Sequence, residues 1–491
     1  MISLLKKYTL DQWLLLLAQT IAHLSIIPLI MYGSGSSAGH TVIIMNINRR
    51  KFLTSSLATL SYLAFPRHAF SSNPDVIVIG AGAAGLAATS HLIENGYSVT
   101  CIEANNRIGG RVYTDNETFG VPYDIGAHWV QSGRYNPYKK YGQKEESLDV
   151  YAEQETEWLV MDGNKKINGT KAEDELWEQY YAAEQAMNKA GRKDISPSEV
   201  IPNLHPEWFD TAHLNIGPYS MAKDYGHFSC IDWNNYAAES TDWHCKQGYG
   251  TLVAHRWKNV PVKLNTYANK INWDYLDNVK VETNDGTIFA KKCIITVSTG
   301  VLSLDKIKFY PLLPSSKYDS FYGITMGIYN HVGILFEKNI FGTKKNDVYM
   351  YYKTSSRGAA SPKGMGSFLN ASGSNLSYFD TAGEFGRELE KEGSDAQIDF
   401  TLSELRSIFG SDVDKYFVKA ASTAWGKNPF TYGAYASAEP GAYHSRNIIK
   451  ESVEDKLFFA GEATAEEYAS VSGAHRSGIR AAKEVVESLK S

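Results

Sequence analysis

Four cysteines in 491 residues, with no C-x-x-C spacing and no histidine pattern beside them, suggest no metal site. Basic charge is also scarce. Forty-nine Lys and Arg against 54 Asp and Glu give a formal net charge of −5, which leaves no footprint for a polyanion and argues against nucleic acid as a partner. No internal repeat, no low-complexity stretch and no Ser-His-Asp or Cys-His constellation is present. What the chain does have is 43% hydrophobic and 21% charged residues, a soluble globular composition with length enough for two domains. Its 31 tyrosines, many of them mid-chain, are available to an aromatic pocket. Cys101 and Cys293 lie in apolar strand-like runs and read as core residues; Cys230 and Cys245 pair only if the protein is exported.

The first 72 residues read as lying outside the fold. Asn48-Arg49-Arg50-Lys51-Phe52-Leu53 has the pattern of a twin-arginine export signal, followed by an uncharged apolar run from Phe52 to Phe65 and by small residues around Ala69 and Ser71. That order predicts a periplasmic protein exported already folded, with translation starting at Met45. Upstream, Trp13 to Met31 has the length of a membrane span but contains Gln19, His23 and Pro28. An anchor over residues 12–32 is the alternative, and the polar interruptions argue against a stable span.

Asp75 to Gly80 reads as a buried parallel strand, because an unbroken apolar run ends in glycine. Gly80, Gly82 and Gly85 then fall in G-x-G-x-x-G spacing at the head of an Ala/Leu-rich helix that contains Ala84 and ends near Asn95. Ser98 to Glu103 makes a second strand ending in an acid. The whole strand–turn–helix–strand–acid unit occupies the 30 residues from Asp75 to Ala104, which makes it a dinucleotide site rather than an isolated glycine turn. Gly80 allows the tight turn, Gly82 lets backbone N–H groups approach a pyrophosphate, and Gly85 lets helix and strand pack closely. Glu103 is placed to accept from ribose hydroxyls, and the helix N-terminus favours the phosphate charge. The unit alone does not separate NAD from FAD. Arg107-Ile108-Gly109-Gly110-Arg111 and Asp124-Ile125-Gly126-Ala127-His128-Trp129 follow directly, with Gly110 suited to a backbone wrapped around a second phosphate and Arg111 as its counter-charge.

With these motifs the chain resembles the flavin-containing amine oxidase family from about Asp75 to its C-terminus, less clearly between Glu145 and Thr241. The resemblance rests also on Lys246 to Val253, Val279 to Gly286, Ile294 to Leu302, Phe309 to Leu313 with Met326-Gly327, Trp425-Gly426 and Tyr432 to Tyr435. It is strongest over Leu457 to Ala482, where Gly461 and Glu462 would meet the ribityl–phosphate chain and a helix from Val471 would point at the isoalloxazine. Ala268 and Trp425 join the expected cofactor set. The implied fold is α/β: a Rossmann-like FAD domain from 73–130, 243–303 and 446–491, interleaved with a mixed-sheet substrate domain from 131–242 and 304–445. A helical insertion from Thr170 to Ala190 is expected to cap the pocket.

The resemblance implies oxidation of an amine C–N bond by hydride transfer to flavin N5, followed by hydrolysis of the imine. The flavin carries the redox chemistry and the protein supplies orientation and electrostatics. Ala434 stands where monoamine oxidases bond FAD through cysteine, so the cofactor is expected to be non-covalent. Tyr435 matches one wall of the aromatic sandwich that steers the amine, and Tyr468 is the candidate for the other. His331 stands where many members have a lysine that holds a water against N5; a histidine there would be a weaker, titratable substitute. This leaves the electron acceptor open between O2 and a periplasmic carrier. Gln131 occupies a place where polyamine oxidases tend to carry an acid or histidine. Competing readings are an L-amino-acid oxidase, which needs an arginine for the substrate carboxylate, a carotenoid-type desaturase, and a flavin-binding scaffold without turnover. The amine's identity and the oligomeric state are not implied.

Overall fold

The computed structural model describes residues 27–30, 44–47, 73–153, 158–191, 193–236, 242–356 and 358–490. The chain divides into two units, Met1–Ala69 and Phe70–Ser491. In the first, Ile27–Ile30 pairs antiparallel with Ile44–Ile47. The twin-arginine motif, its apolar run and most of 12–32 lie outside the described residues. No helix among the described residues is long and apolar enough to cross a membrane.

The second unit is built on a five-stranded parallel sheet in the order Val262–Lys263, Val99–Ile102, Val76–Ile79, Lys292–Ile295, Leu457–Phe459. Its strands come from three separated stretches of chain. Val76–Ile79 is buried on both faces because it is central, and its alternate residues serve different cores. Val76 and Val78 pack with Leu86, Leu92, Ala481 and Val485 on the helical side, whereas Ile77 and Ile79 pack with Ile271, Val281 and Leu457. The helical side consists of Ala83–Glu94 lying against Val471–Lys490. Gly478 permits that approach, since a Cβ there would stand 2.0 Å from the Ala84 carbonyl oxygen. The opposite side is covered by a four-stranded sheet in which Lys308–Tyr310, assigned from sequence to the substrate domain, pairs in parallel with Ala268–Tyr275.

A seven-stranded mixed sheet runs in the order Phe417–Ser422, Tyr329–Phe336, Leu376–Ala382, Gly366–Leu369, Val348–Tyr352, Trp158–Asp162, Lys165–Lys166. The architecture is therefore the expected α/β one, with a mixed sheet beside a Rossmann-like domain. The helical insertion is Lys171–Ala190, and its place differs from expectation. None of its residues lines the main cavity. Leu176 and Trp177 instead pack on Val160, Trp208 and Tyr351, because the apolar face of the helix is needed to cover the outer strands of the sheet. All four cysteines are free and buried, so Cys230 and Cys245 do not pair.

Candidate active site

One cavity of about 910 Å³ runs from the glycine turn to the mixed sheet. At one end Gly80 takes φ +102°, and the turn it makes brings the Ala81 N–H to Glu103 Oε2 at 2.6 Å. Glu103 Oε1 accepts from Asn105 N–H at 2.9 Å. Burial pushes the Glu103 carboxyl up, against the pull of these two bonds. A Cβ on Gly85 would stand 1.8 Å from the Gly80 carbonyl oxygen, so Gly85 serves the packing of helix on turn and is not itself in the cavity wall. Gly82 is different: a Cβ there meets nothing within 4 Å and would project into open space. Gly109 and Gly110 both have positive φ, and Gly109 bridges to Gly82, which folds the Arg107–Arg111 turn back onto the glycine turn.

The second glycine-bearing segment is pinned by carboxylate and indole. Asp124 accepts from the N–H groups of Tyr249 at 2.9 Å and Gly250 at 3.2 Å, holding the start of the Tyr249–Trp257 helix against the first cofactor segment. Trp425 Nε1 donates to the Ile125 carbonyl at 3.0 Å. Gly126 leaves no room for a side chain, since its Cβ would fall 2.0 Å from the Arg111 carbonyl oxygen. Ala127, His128, Trp129, Ala268 and Val471 line the cavity with Gly126 and Trp425. Arg111 Nη1 donates to Glu462 Oε1 at 2.7 Å and to the Ala434 carbonyl at 2.9 Å. The two charges expected to meet the cofactor separately therefore meet each other first, and present a neutral pair to the cavity.

At the other end the wall is aromatic. Tyr435 and Tyr468 both line it, but their rings do not touch. Tyr435 packs on Tyr329 at 5.9 Å between centroids, and Tyr468 on Tyr236 at 4.9 Å. Tyr468 is fixed from behind: the Arg446 guanidinium lies 3.8 Å from its ring centre, and its hydroxyl donates to the Asp232 carbonyl at 2.9 Å. Gln131 lines the cavity and accepts a long hydrogen bond, 3.4 Å, from the Tyr236 hydroxyl. Asp242, beside it in the wall, escaped sequence reasoning, because a lone acid before Trp243 carries no pattern. Burial, then the neighbouring Glu153, pushes its carboxyl up to about 6. No basic side chain among the described residues forms an ion pair with it.

A sequence model of the family described as flavin containing amine oxidoreductase matches residues 182–486, and one described as NAD(P)-binding Rossmann-like domain matches residues 78–141. The chain belongs to the flavin-containing amine oxidoreductases. It is 28% identical to polyamine oxidase 4 of Oryza sativa subsp. japonica over 446 residues, 84% of this chain and 89% of the relative. It is likewise 28% identical to polyamine oxidase 2 of Arabidopsis thaliana, over 84% of this chain and 88% of the relative. Among solved structures, putrescine oxidase bound to putrescine superposes with a TM-score of 0.70 at 20% identity, over 84% of this chain and 99% of that one. This last likeness concerns the fold.

The cofactor of this amine oxidoreductase is FAD, and the residues present fit it. The N-termini of Ala83–Glu94 and Val471–Lys490 both reach the cavity, where their unpaired N–H groups and dipoles favour phosphate and other negative charge. Gly82 leaves the space that a pyrophosphate needs beside the first helix. The volume is at the upper end for small-ligand pockets, as a dinucleotide and a substrate together require. No cysteine lines the cavity, and Ala434 offers no thiol.

His331 corrects an expectation. It lines the cavity, but both of its ring nitrogens are engaged by protein: Nδ1 with the Asp380 carboxylate and Nε2 with the Gly126 carbonyl at 2.8 Å. Both partners are acceptors, so both nitrogens donate and the ring is an imidazolium. Burial works against that charge, but Asp380 more than offsets it and holds the pKa above its usual value. No N–H is left to hold a water in the way the family lysine does. The neighbouring His128, 5.0 Å away, behaves oppositely. Both its nitrogens are buried without a protein partner, and burial together with His331 and His244 holds it neutral. Asp380, which sequence reading missed, is an acid inside the fully buried strand Leu376–Ala382, a placement that demands a partner.

Proposed function

We propose that this enzyme oxidises the C–N bond of a di- or polyamine to an imine, which water then hydrolyses. The observation that carries the reading is Asp242, a carboxylate without a basic partner, standing in the aromatic end of a cavity whose other end is built for FAD. When bound, FAD accepts the hydride. Tyr435 and Tyr468 confine the reacting carbon and nitrogen from two directions. Tyr219, Tyr329, Tyr349 and Trp129 complete an aromatic wall that excludes water. Asp242 draws a second, charged nitrogen of the substrate to the far side of that wall. The names of the polyamine oxidases it resembles support this substrate class.

An amino-acid substrate is disfavoured by the arginines. Arg111 is paired with Glu462, and Arg107 donates to the carbonyls of Ile108 and Gly110, so neither arginine lining the cavity is offered to a carboxylate. FAD is held without a covalent bond, in keeping with Ala434. Oxygen or a periplasmic carrier takes the electrons, and export by the twin-arginine route delivers the folded protein to that compartment.

The test is anaerobic absorbance of the purified protein while monoamines, diamines, polyamines and amino acids are added in turn, followed by air. Bleaching of the flavin band by diamines or polyamines at lower concentration than by monoamines is expected. Rapid recovery in air with peroxide marks an oxidase, and slow recovery a dehydrogenase. No bleaching by any amine would overturn the proposal.

A further inference from the structure

The cavity wall at Trp129 continues outward, beyond the part that faces the amine, as an unbroken row of aromatic rings that reaches the surface. The Trp129 and Tyr349 rings are nearly parallel, 19° apart with centroids separated by 6.4 Å, and the indole Nε1–H donates to the Tyr349 hydroxyl at 2.6 Å. Trp158 follows at 6.1 Å, directly opposite Tyr349 in the parallel register of their strands, and is 39% exposed. From Trp158 the row continues to Trp177 at 5.4 Å and on to Tyr181 at 6.3 Å, which is 55% exposed. Each step has the spacing of aromatic rings in contact.

Two features separate this row from ordinary packing. It connects the cofactor cavity to solvent, and its inner tyrosine has a base in place for its proton. The Tyr349 hydroxyl donates to Glu153 Oε1. Burial pushes the Glu153 carboxyl up, but the nearby His244, 3.6 Å from Oε1, and the Tyr349 hydrogen bond more than offset this and keep it ionised.

We propose that Trp129, Tyr349 and Trp158 form a relay that carries a one-electron oxidising equivalent from the flavin end of the cavity to the protein surface. A one-electron oxidant at that end, of which light-excited oxidised flavin is one, takes an electron from the Trp129 indole and is reduced by it. Tyr349 refills Trp129 with one electron while its phenolic proton passes to Glu153 along the existing hydrogen bond. Trp158 returns an electron to Tyr349, which recovers its proton from Glu153. A soluble thiol or ascorbate then reduces the oxidised Trp158. The net change is one electron moved inward, with no bond between heavy atoms made or broken. Tyr435 and Tyr468 are thereby spared oxidation. The relay operates whichever amine the enzyme oxidises.

The experiment uses flavin-loaded protein freed of unbound flavin, illuminated with blue light and followed by electron paramagnetic resonance and transient absorption. Wild type is expected to give a long-lived tryptophanyl or tyrosyl radical, with oxidation products at Trp158, Trp177 and Tyr181 on mass spectrometry. Trp158→Phe, a change at the surface, is expected to shorten the radical lifetime several-fold and to move the products inward to Trp129 and Tyr435. Tyr349→Phe keeps the ring but removes the proton carried to Glu153, and is expected to shorten it likewise. Equal flavin content and equal melting temperature across the three proteins confirm the comparison. Identical radical decay in all three, or products confined to the cavity in wild type, would overturn the relay.

Discussion

His331 and Asp380 are direct cross-strand partners, facing each other in the antiparallel register of Tyr329–Phe336 and Leu376–Ala382 and joined through Nδ1. With Nε2 bonded to Gly126, the pair ties the mixed sheet to the cofactor segment. Breaking one partner of a buried pair strands the other charge, at a cost of about 3–5 kcal/mol. His331→Gln and Asp380→Asn are each expected to destabilise the protein by an amount of that order, and the double variant by less than their sum. The folded-state pKa of His331 is raised above its unfolded value. Its stabilising contribution is therefore complete below the unfolded value and is lost as pH rises through the folded one. Urea melts at acidic and alkaline pH should show the gap between wild type and His331→Gln narrowing as pH increases; a constant gap would contradict the assignment.

Asp242 shows the same sign of linkage in an acid. Its carboxyl is pushed up to about 6, so between the unfolded carboxylate range and that value the native state binds more protons than the unfolded one. Stability then falls as pH rises across this window, by on the order of 3 kcal/mol. Asp242→Asn should raise the melting temperature at neutral pH while lowering kcat/KM for diamines by about tenfold or more, the value of one ion pair, and sparing monoamines. Equal loss for both amine classes would refute the anchoring role.

Gly82 and Gly85 offer a paired test, because a Cβ at Gly82 meets nothing within 4 Å whereas one at Gly85 meets the Gly80 oxygen at 1.8 Å. Gly82→Ala is expected to fold with stability within about 0.5 kcal/mol of wild type and to lose FAD affinity, measured by fluorescence of released flavin. Gly85→Ala should destabilise the apoprotein itself.

Arg446 and Asp232 form a buried double hydrogen bond, both at 2.7 Å, with Asp232 also accepting from the Ala438 N–H. Asp232→Ala is expected to cost about 3–5 kcal/mol and, by freeing Arg446 from beneath Tyr468, to raise KM more than it lowers kcat. A thermal melt and steady-state kinetics check both.

The cofactor half was legible because its chemistry depends on backbone. A glycine that admits positive φ or close approach, an apolar run and a terminal acid are local signals, and Val76–Ile79, Ala83–Glu94 and Val99–Ile102 lie where those signals fall. The substrate half was less so because its side chains converge from distant strands. Asp242, Tyr349 and Asp380 belong to three segments with no common motif, and Lys171–Ala190 shows a helical period without showing which surface it covers. His331 was found as a position and misread as free to hold a water, since the acceptors that use up its N–H groups sit 49 and 205 residues away.

The parallel sheet takes its edge strand from Leu457–Phe459 and its covering helix from Val471–Lys490, elements far along the chain from Val76–Ile79. The sheet that Val76–Ile79 centres is therefore incomplete until the chain has been made past Leu457–Phe459, which pairs with Lys292–Ile295. Cofactor capture consequently waits for these elements, and a ribosome-bound nascent chain stopped before Leu457 is expected to retain no FAD. The same dependence means that a nonsense change or proteolytic nick near the C-terminus removes flavin from the protein before it removes the mixed sheet.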